Sequence, residues 1–354
     1  MITRRDFLEG AGAALAPGLR VDAPDPLALW RNADGPRLRG AVFAQRRVYP
    51  DLDGETFLGA DAIGPSVTHA ALDSLAEAGA NLAVWSGPGH FEEAAPFRRD
   101  ALIEDHIASW LERCRARGLF TVIAFRSGPG RSAFAFNRGE DWYPRALFDE
   151  SVWFDRDKQG AWLAMVADAK ARFAAHPACA GVLAMVEPNP EAAGAEARVW
   201  TRMAEALSVE TGRGRAPLIL SPSGWADAAD AGALDRAATA STVIGVHDWT
   251  PRAYTHSGAG AAPLREARVA APSLRTPAWA CLEFGGVTRA RGFERFLRAR
   301  IESLEAQGAN WAAWRWTSGW TPYEARENAM NLAQSAQARA VLSQAWSRNS
   351  LKPG

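Results

Sequence analysis

Short apolar runs alternate along this chain with longer stretches in which apolar residues recur every three or four positions. The runs Leu38 to Phe43, Asn81 to Trp85, Phe120 to Phe125, Gly181 to Val186, Leu218 to Ser221, Thr242 to Val246, Ala278 to Leu282 and Trp311 to Trp316 have the length and apolar content of buried strands. Between them, Leu102, Ile103, His106, Ile107, Trp110, Leu111 and Cys114 mark one helix face that stops at Gly118. Phe293, Phe296, Leu297, Ile301 and Leu304 mark another that stops at Gly308. Ala70 to Ala78, Gln159 to Phe173, Ala195 to Thr211 and Asn328 to Trp346 are consistent with further helices. Alternation of this kind, with no internal repeat, predicts an α/β fold: a (β/α)8 TIM barrel in a single domain over 38–346, after an irregular lead-in over 24–37 and before a tail over 347–354. A doubly wound open sheet is the other solution, but the first βα turn lacks GxGxxG. Gly128-Pro129-Gly130 followed by Arg131 fits no phosphate-cradling pattern either.

The first residues read differently. Met1 to Gly18 contains Thr3-Arg4-Arg5-Asp6-Phe7-Leu8, a small-residue apolar stretch follows, and Val21-Asp22-Ala23 offers a cleavage site. Residues 1–23 are therefore expected to be a twin-arginine export signal, with the twin-arginine translocase as a transient partner and a periplasmic or secreted destination. No run approaches the roughly 18 apolar residues that span a bilayer. Lys plus Arg and Asp plus Glu are 40 each, so no net field draws the chain to nucleic acid or anionic lipid. Cys114, Cys179 and Cys281 are too few and too scattered for a disulfide scaffold or a CxxC zinc site. A monomer is expected. The chain has 15 Trp against 4 Tyr, a bias suited to presenting flat apolar faces to sugar rings.

In a barrel, chemistry gathers at the carboxyl ends of the strands. The fourth run ends Met185-Val186-Glu187-Pro188-Asn189-Pro190 and the seventh ends Cys281-Leu282-Glu283-Phe284-Gly285. Each delivers one carboxyl from an apolar run to the mouth, and strands four and seven face each other. Burial is expected to raise the Glu187 pKa and fit it to act as an acid. Two such carboxyls are what glycosidic bond cleavage requires. No HxH or HExxH pair occurs, and His106 falls on an apolar helix face, so no metal and no cofactor are expected. Ser221 and Ser223 form no GxSxG elbow, and Lys158, Lys170 and Lys352 lie off the strands, which disfavours serine hydrolase and Schiff-base chemistry. His90, in the loop after the second strand, is a candidate substrate contact. Trp85, Trp225, Trp249, Trp314, Trp316 and Trp320 fall at or just past strand ends and together suggest a saccharide groove, with Trp142 and Trp153 walling one side. Trp30, Trp110, Trp162, Trp200 and Trp346 are assigned to packing.

The chain resembles a clan A retaining glycoside hydrolase, most like family 5, the cellulase and mannanase family, over roughly Arg39 to Trp346. Glu187-Pro188 stands in the place of that family's Asn-Glu-Pro motif and Leu282-Glu283-Phe284-Gly285 in that of its Gly-Glu-Phe-Gly motif. Val246-His247-Asp248-Trp249-Thr250-Pro251, followed by Tyr254-Thr255-His256, stands where the family has His-x-Tyr, and Trp311-Ala312-Ala313-Trp314-Arg315-Trp316 where it has its last tryptophan segment. The resemblance implies Glu187 as acid/base, Glu283 as nucleophile, His247 as a polar partner near the nucleophile, and Trp314 or Trp316 as the floor of the subsite before the scissile bond. It implies a β-glucan or mannan-like poly- or oligosaccharide substrate, double displacement, and carboxyl groups about 5 to 5.5 Å apart.

Four polar positions depart from the pattern. Val84 or Trp85 stands where the family has a strand-two Arg, Arg126 where it has a His, Val186 where Asn holds the sugar 2-hydroxyl, and Trp249 where Tyr meets the nucleophile. Arg126 is expected to pair with Glu283 in place of the missing Arg. These changes sustain a second reading, a non-catalytic carbohydrate-binding pseudoenzyme on the same barrel, involved in exopolysaccharide handling.

Overall fold

The computed structural model of the chain describes residues 27–31, 35–54, 62–211, 216–265, 267–272, 278–317 and 328–354. The export signal expected over 1–23 and Trp320, expected just past the last strand, lie outside them. Among the described residues, β1 (Arg39–Ala44), β2 (Leu82–Pro88), β3 (Phe120–Ser127), β4 (Cys179–Leu183), β5 (Leu218–Leu220), β6 (Thr242–Asp248), β7 (Trp279–Phe284) and β8 (Asn310–Ala313) close into a parallel barrel in which β1 pairs with both β2 and β8. All of the expected strands form, although β4 and β8 end earlier than their apolar runs.

The outer layer is α1 (His69–Glu77), α2 (Ala101–Arg115), α3 (Arg156–Phe173), α4 (Arg198–Thr211), α5 (Phe293–Ala306) and α6 (Ala336–Trp346). Their starts are set by caps. The Asp100 side chain accepts from Leu102 N and Ile103 N, Asp155 from Asp157 N and Lys158 N, and Ser335 from Ala338 N. The helix expected over Asn328 to Trp346 is interrupted after Asn328 and resumes at Ala336, where the Ser335 side chain takes the amide of Ala338. Among the described residues, the connection after β5 holds the short helical turns Ser223–Ala226 and Ala228–Leu234, and that after β6 the turn Arg252–Ser257. No helix among the described residues is long and apolar enough to cross a membrane.

The core is in two layers. One fills the barrel and contains Val42, Leu82, Val84, Val122, Ala124, Leu282, Ala312 and Trp314. The other lies between strands and helices and contains Phe43, Ala83, Trp85, Ile123, Trp110, Phe296, Trp311 and Trp316. Side chains alternate along each strand, so neighbouring residues fall into different layers. The lead-in closes the barrel floor: Leu27 and Trp30 are buried, and Trp30 Nε1 donates to Ala180 O at 2.9 Å.

Candidate active site

Alternation decides what reaches the mouth. On β3, Val122 and Ala124 point inward and Arg126 follows them; on β2, Val84 points inward and Trp85 outward. On β7 strict alternation would send Glu283 outward with Cys281. The ladder is interrupted there: Val246 pairs with Cys281 but His247 with Glu283, which leaves Leu282 as an extra residue. That bulge turns Glu283 toward the barrel axis beside His247. Glu187 lies past the last ladder residue of β4 with φ of 47°, a left-handed conformation unusual for a residue with a side chain.

The two carboxylates meet over the barrel. One oxygen from each, together with a ring nitrogen of His247, lie within 4.8 Å of one another. Oε1 of Glu187 accepts from His247 Nδ1 at 3.0 Å and from Trp249 Nε1 at 3.1 Å. Oε2 of Glu283 is 3.5 Å from the same Nδ1, and its Oε1 is 3.5 Å from Arg126 Nη1. The Arg126 guanidinium stacks 3.8 Å from the Phe136 ring centre and 5.1 Å from that of Trp314. The expected Arg126–Glu283 pair is therefore present.

Charge around Glu187 differs from the sequence expectation. Burial is the largest single influence and pushes its pKa up. The hydrogen bond and charge of His247, the charge of Arg126 and the Trp249 N–H together outweigh it and hold the carboxyl below its ordinary value. For His247, burial lowers the pKa, but the Glu283 charge and the contact with Glu187 prevail and raise it. The resting site thus favours a Glu187 carboxylate against a His247 imidazolium. Glu187, His247 and Glu283 each present an atom that can ligate a metal, but Nδ1 of His247 is engaged by both carboxylates and the Arg126 charge repels a cation, so the set fits an ion poorly.

A pocket of about 280 Å³ opens over these groups. Arg126, Trp249 and Trp314 line it as expected, with Trp225 from beyond β5. The connection between β3 and α3 adds Phe136, Arg138 and Glu140, and Arg252, His256 and Met330 complete the wall. A second pocket, about 400 Å³, shares Trp225, Trp249 and Arg252 with it and continues the groove.

Three expected contacts are elsewhere. Trp85 is fully buried on the helix side and donates to Gln45 Oε1 at 2.8 Å, and Trp316 packs against Trp346 and donates to Ser74 Oγ at 2.9 Å. Both sit one register step from the inward positions. His90 is also fully buried, with Nε2 2.8 Å from Asp168 on α3 and its ring against Phe91, Phe125 and Phe173. The loop after β2 bends outward over α3, so His90 is a packed core residue. Trp142 and Trp153 do not line the pocket either, and Trp153 is buried between strands and helices. The residues that sequence reasoning missed come mostly from connections, where no periodicity signals which side chain points inward; the length of the β3–α3 connection was the one usable sign.

No protein-family model and no curated protein matches the chain. Among solved structures it is similar to a glycoside hydrolase, at 16% identity and a TM-score of 0.61, over 87% of this chain and 99% of that one. It is similar to endoglucanase Cel5A from Thermotoga maritima, at 14% identity and a TM-score of 0.60, over 91% of this chain and 99% of that one. It is also similar to the cellulose synthase subunit Z of Clostridioides difficile, at 12% identity and a TM-score of 0.58, over 86% and 99%. These likenesses establish the fold, a (β/α)8 barrel of the kind that glycoside hydrolases use.

Proposed function

We propose that the chain is a divergent retaining glycoside hydrolase of the family 5 type, acting as a monomer on a β-linked poly- or oligosaccharide outside the cytoplasm after twin-arginine export. The observation that carries this reading is the approach of the Glu187 and Glu283 carboxylates to within 4.8 Å, from opposite strands, at the floor of an aromatic pocket. An approach this close between their nearest atoms supports a nucleophile that attacks directly.

In the first step Glu283 attacks the anomeric carbon while Glu187 protonates the departing oxygen. Glu187 needs a proton for this, and His247 Nδ1, 3.0 Å away, is the group placed to supply it. In the second step Glu187 takes a proton from water, which attacks the glycosyl ester; the proton returns to His247 and Glu283 leaves as carboxylate. Arg126 and His247 stabilise the Glu283 charge that appears and disappears in this cycle. Trp249 and Trp314 offer faces for the sugar. That one structural neighbour is a cellulose synthase subunit supports an exopolysaccharide among the substrates.

One observation favours the non-catalytic alternative: Val186 stands in place of a polar residue, and the contacts of Glu187 lower its pKa, against what a resting general acid needs. The deciding experiment is reducing-sugar release from β-glucans, mannans, xylan and bacterial exopolysaccharides, with Glu283→Gln run beside the native protein. Release that disappears in the variant is the expected result. Undiminished binding by both proteins with no release from any polymer would overturn the catalytic reading.

A further inference from the structure

The turn Gly128-Pro129-Gly130-Arg131 after β3 is not part of the pocket, yet it ends in a fully buried arginine. Gly128 and Arg131 bridge each other, with Gly128 N donating to Arg131 O at 2.8 Å and Arg131 N to Gly128 O at 2.9 Å. Gly130 is pinned on both sides: its N–H donates to Glu93 O at 3.0 Å and its carbonyl accepts from Val152 N at 2.9 Å. Its φ is 72°, and an added Cβ would meet Val152 N at 2.9 Å, so glycine is required there.

This clamp aims the Arg131 side chain at the end of β4. Nη1 donates to Val186 O at 2.6 Å and Nη2 to Glu187 O at 3.0 Å. The guanidinium also lies 4.7 Å from the centre of the Phe136 ring that Arg126 stacks on. Past Leu183 the amides of Ala184 and Val186 still donate to Ile219 O and Phe125 O, but the carbonyls of Val186 and Glu187 need partners just where Glu187 turns into its left-handed conformation. A planar fork with two parallel donors can take both at once; an ammonium cannot hold the same geometry.

We propose that Arg131 is the positioning residue for Glu187, fixing the backbone from which its carboxylate reaches His247 and the pocket. Arg131 does not line the pocket and makes no hydrogen bond to the carboxylate; its two side-chain hydrogen bonds reach the site through the backbone of Val186 and Glu187. The inference rests on the functional reading insofar as Glu187 is the acid.

The test compares native protein, Arg131→Met, Arg131→Lys and Glu187→Ala on phenyl and dinitrophenyl β-cellobioside. Dinitrophenolate departs without protonation, whereas phenolate needs an acid. A displaced Glu187 should lower kcat/KM on the phenyl substrate by about 100-fold and on the dinitrophenyl substrate by less than about three-fold. Arg131→Lys, which keeps a donor and the charge, should recover part of the loss and covers the case in which Arg131→Met does not fold. Equal losses on both substrates, with Glu187→Ala showing the split, would overturn the proposal while leaving Glu187 as the acid. If Glu187→Ala itself shows no split, or nothing is hydrolysed, the acid assignment fails and a second readout decides for Arg131. The His247 ring signal, titrated by NMR, should move in the Arg131 variants toward its position in Glu187→Gln; an unmoved titration would show that Glu187 stays in place without Arg131.

Discussion

Nδ1 of His247 stands 3.0 Å from Oε1 of Glu187, with both side chains buried. The Glu187 pKa is lowered and the His247 pKa raised, so the pair favours the ionised form. The lowered carboxyl contributes stability above its ordinary value of 4.5 that is lost as pH falls through the folded value; the raised imidazole contributes stability below 6.5 that is lost as pH rises through its own. The melting temperature of the native protein relative to His247→Gln should therefore be greatest between those two ordinary values and shrink on either side. Activity should fall on the alkaline side only above the ordinary imidazole range. A melting difference that is flat with pH contradicts the ion pair.

Arg126 is the cation on the other side of the site, 3.5 Å from Glu283. Arg126→Met removes one of the two cations beside the buried Glu283 carboxylate and leaves His247 at 3.5 Å, so the loss of stability should stay below the roughly 3 to 5 kcal/mol typical of a buried carboxylate stripped of its only partner. Because the same guanidinium orients Glu283 toward the pocket as nucleophile and favours its departure as carboxylate when the ester is hydrolysed, activity should also fall, by about 100-fold or more in kcat. Denaturant titration and steady-state kinetics check the two effects. Native-like values for both would show that the contact is incidental.

Trp314 and Trp316 are two residues apart and should respond oppositely. Trp316→Ala empties a fully buried position between barrel and helices, and unfolding free energy should drop by about 3 to 5 kcal/mol. The folded fraction should keep its affinity for oligosaccharides. Trp314→Ala removes a pocket wall that meets Trp249 edge-on, with ring centres 6.0 Å apart, so affinity should weaken by about ten-fold or more. Calorimetric binding beside thermal melts separates the outcomes, and a Trp316→Ala protein that is stable but binds weakly would reverse the assignment.

Much of the architecture is written locally. Short apolar runs are enough to mark β1 to β8, and apolar residues recurring at three- and four-residue spacing mark the helices between them. The catalytic candidates were legible for the same reason: Glu187 and Glu283 each close an apolar run, and barrel topology places strands four and seven across from each other. His247, Trp249 and Arg126 could be placed as neighbours through their strand-end positions.

The order and type of elements and the pair of carboxyls at the mouth follow from local pattern alone. Which neighbours join that pair depended on facing, and facing changes with every single residue along a strand. Trp85 and Trp316 lie one register step outside the barrel, while the extra residue Leu282 turns Glu283 inward where simple alternation would not. The sign of the Glu187 shift was equally a tertiary outcome. Burial could be read from the apolar run that carries it, but the His247, Arg126 and Trp249 groups that reverse the effect of burial come from strands 60 or more residues distant. A hydrogen bond forms only at contact and a charge acts strongly only where water is excluded between the groups, so the sign of the shift follows from the closed barrel.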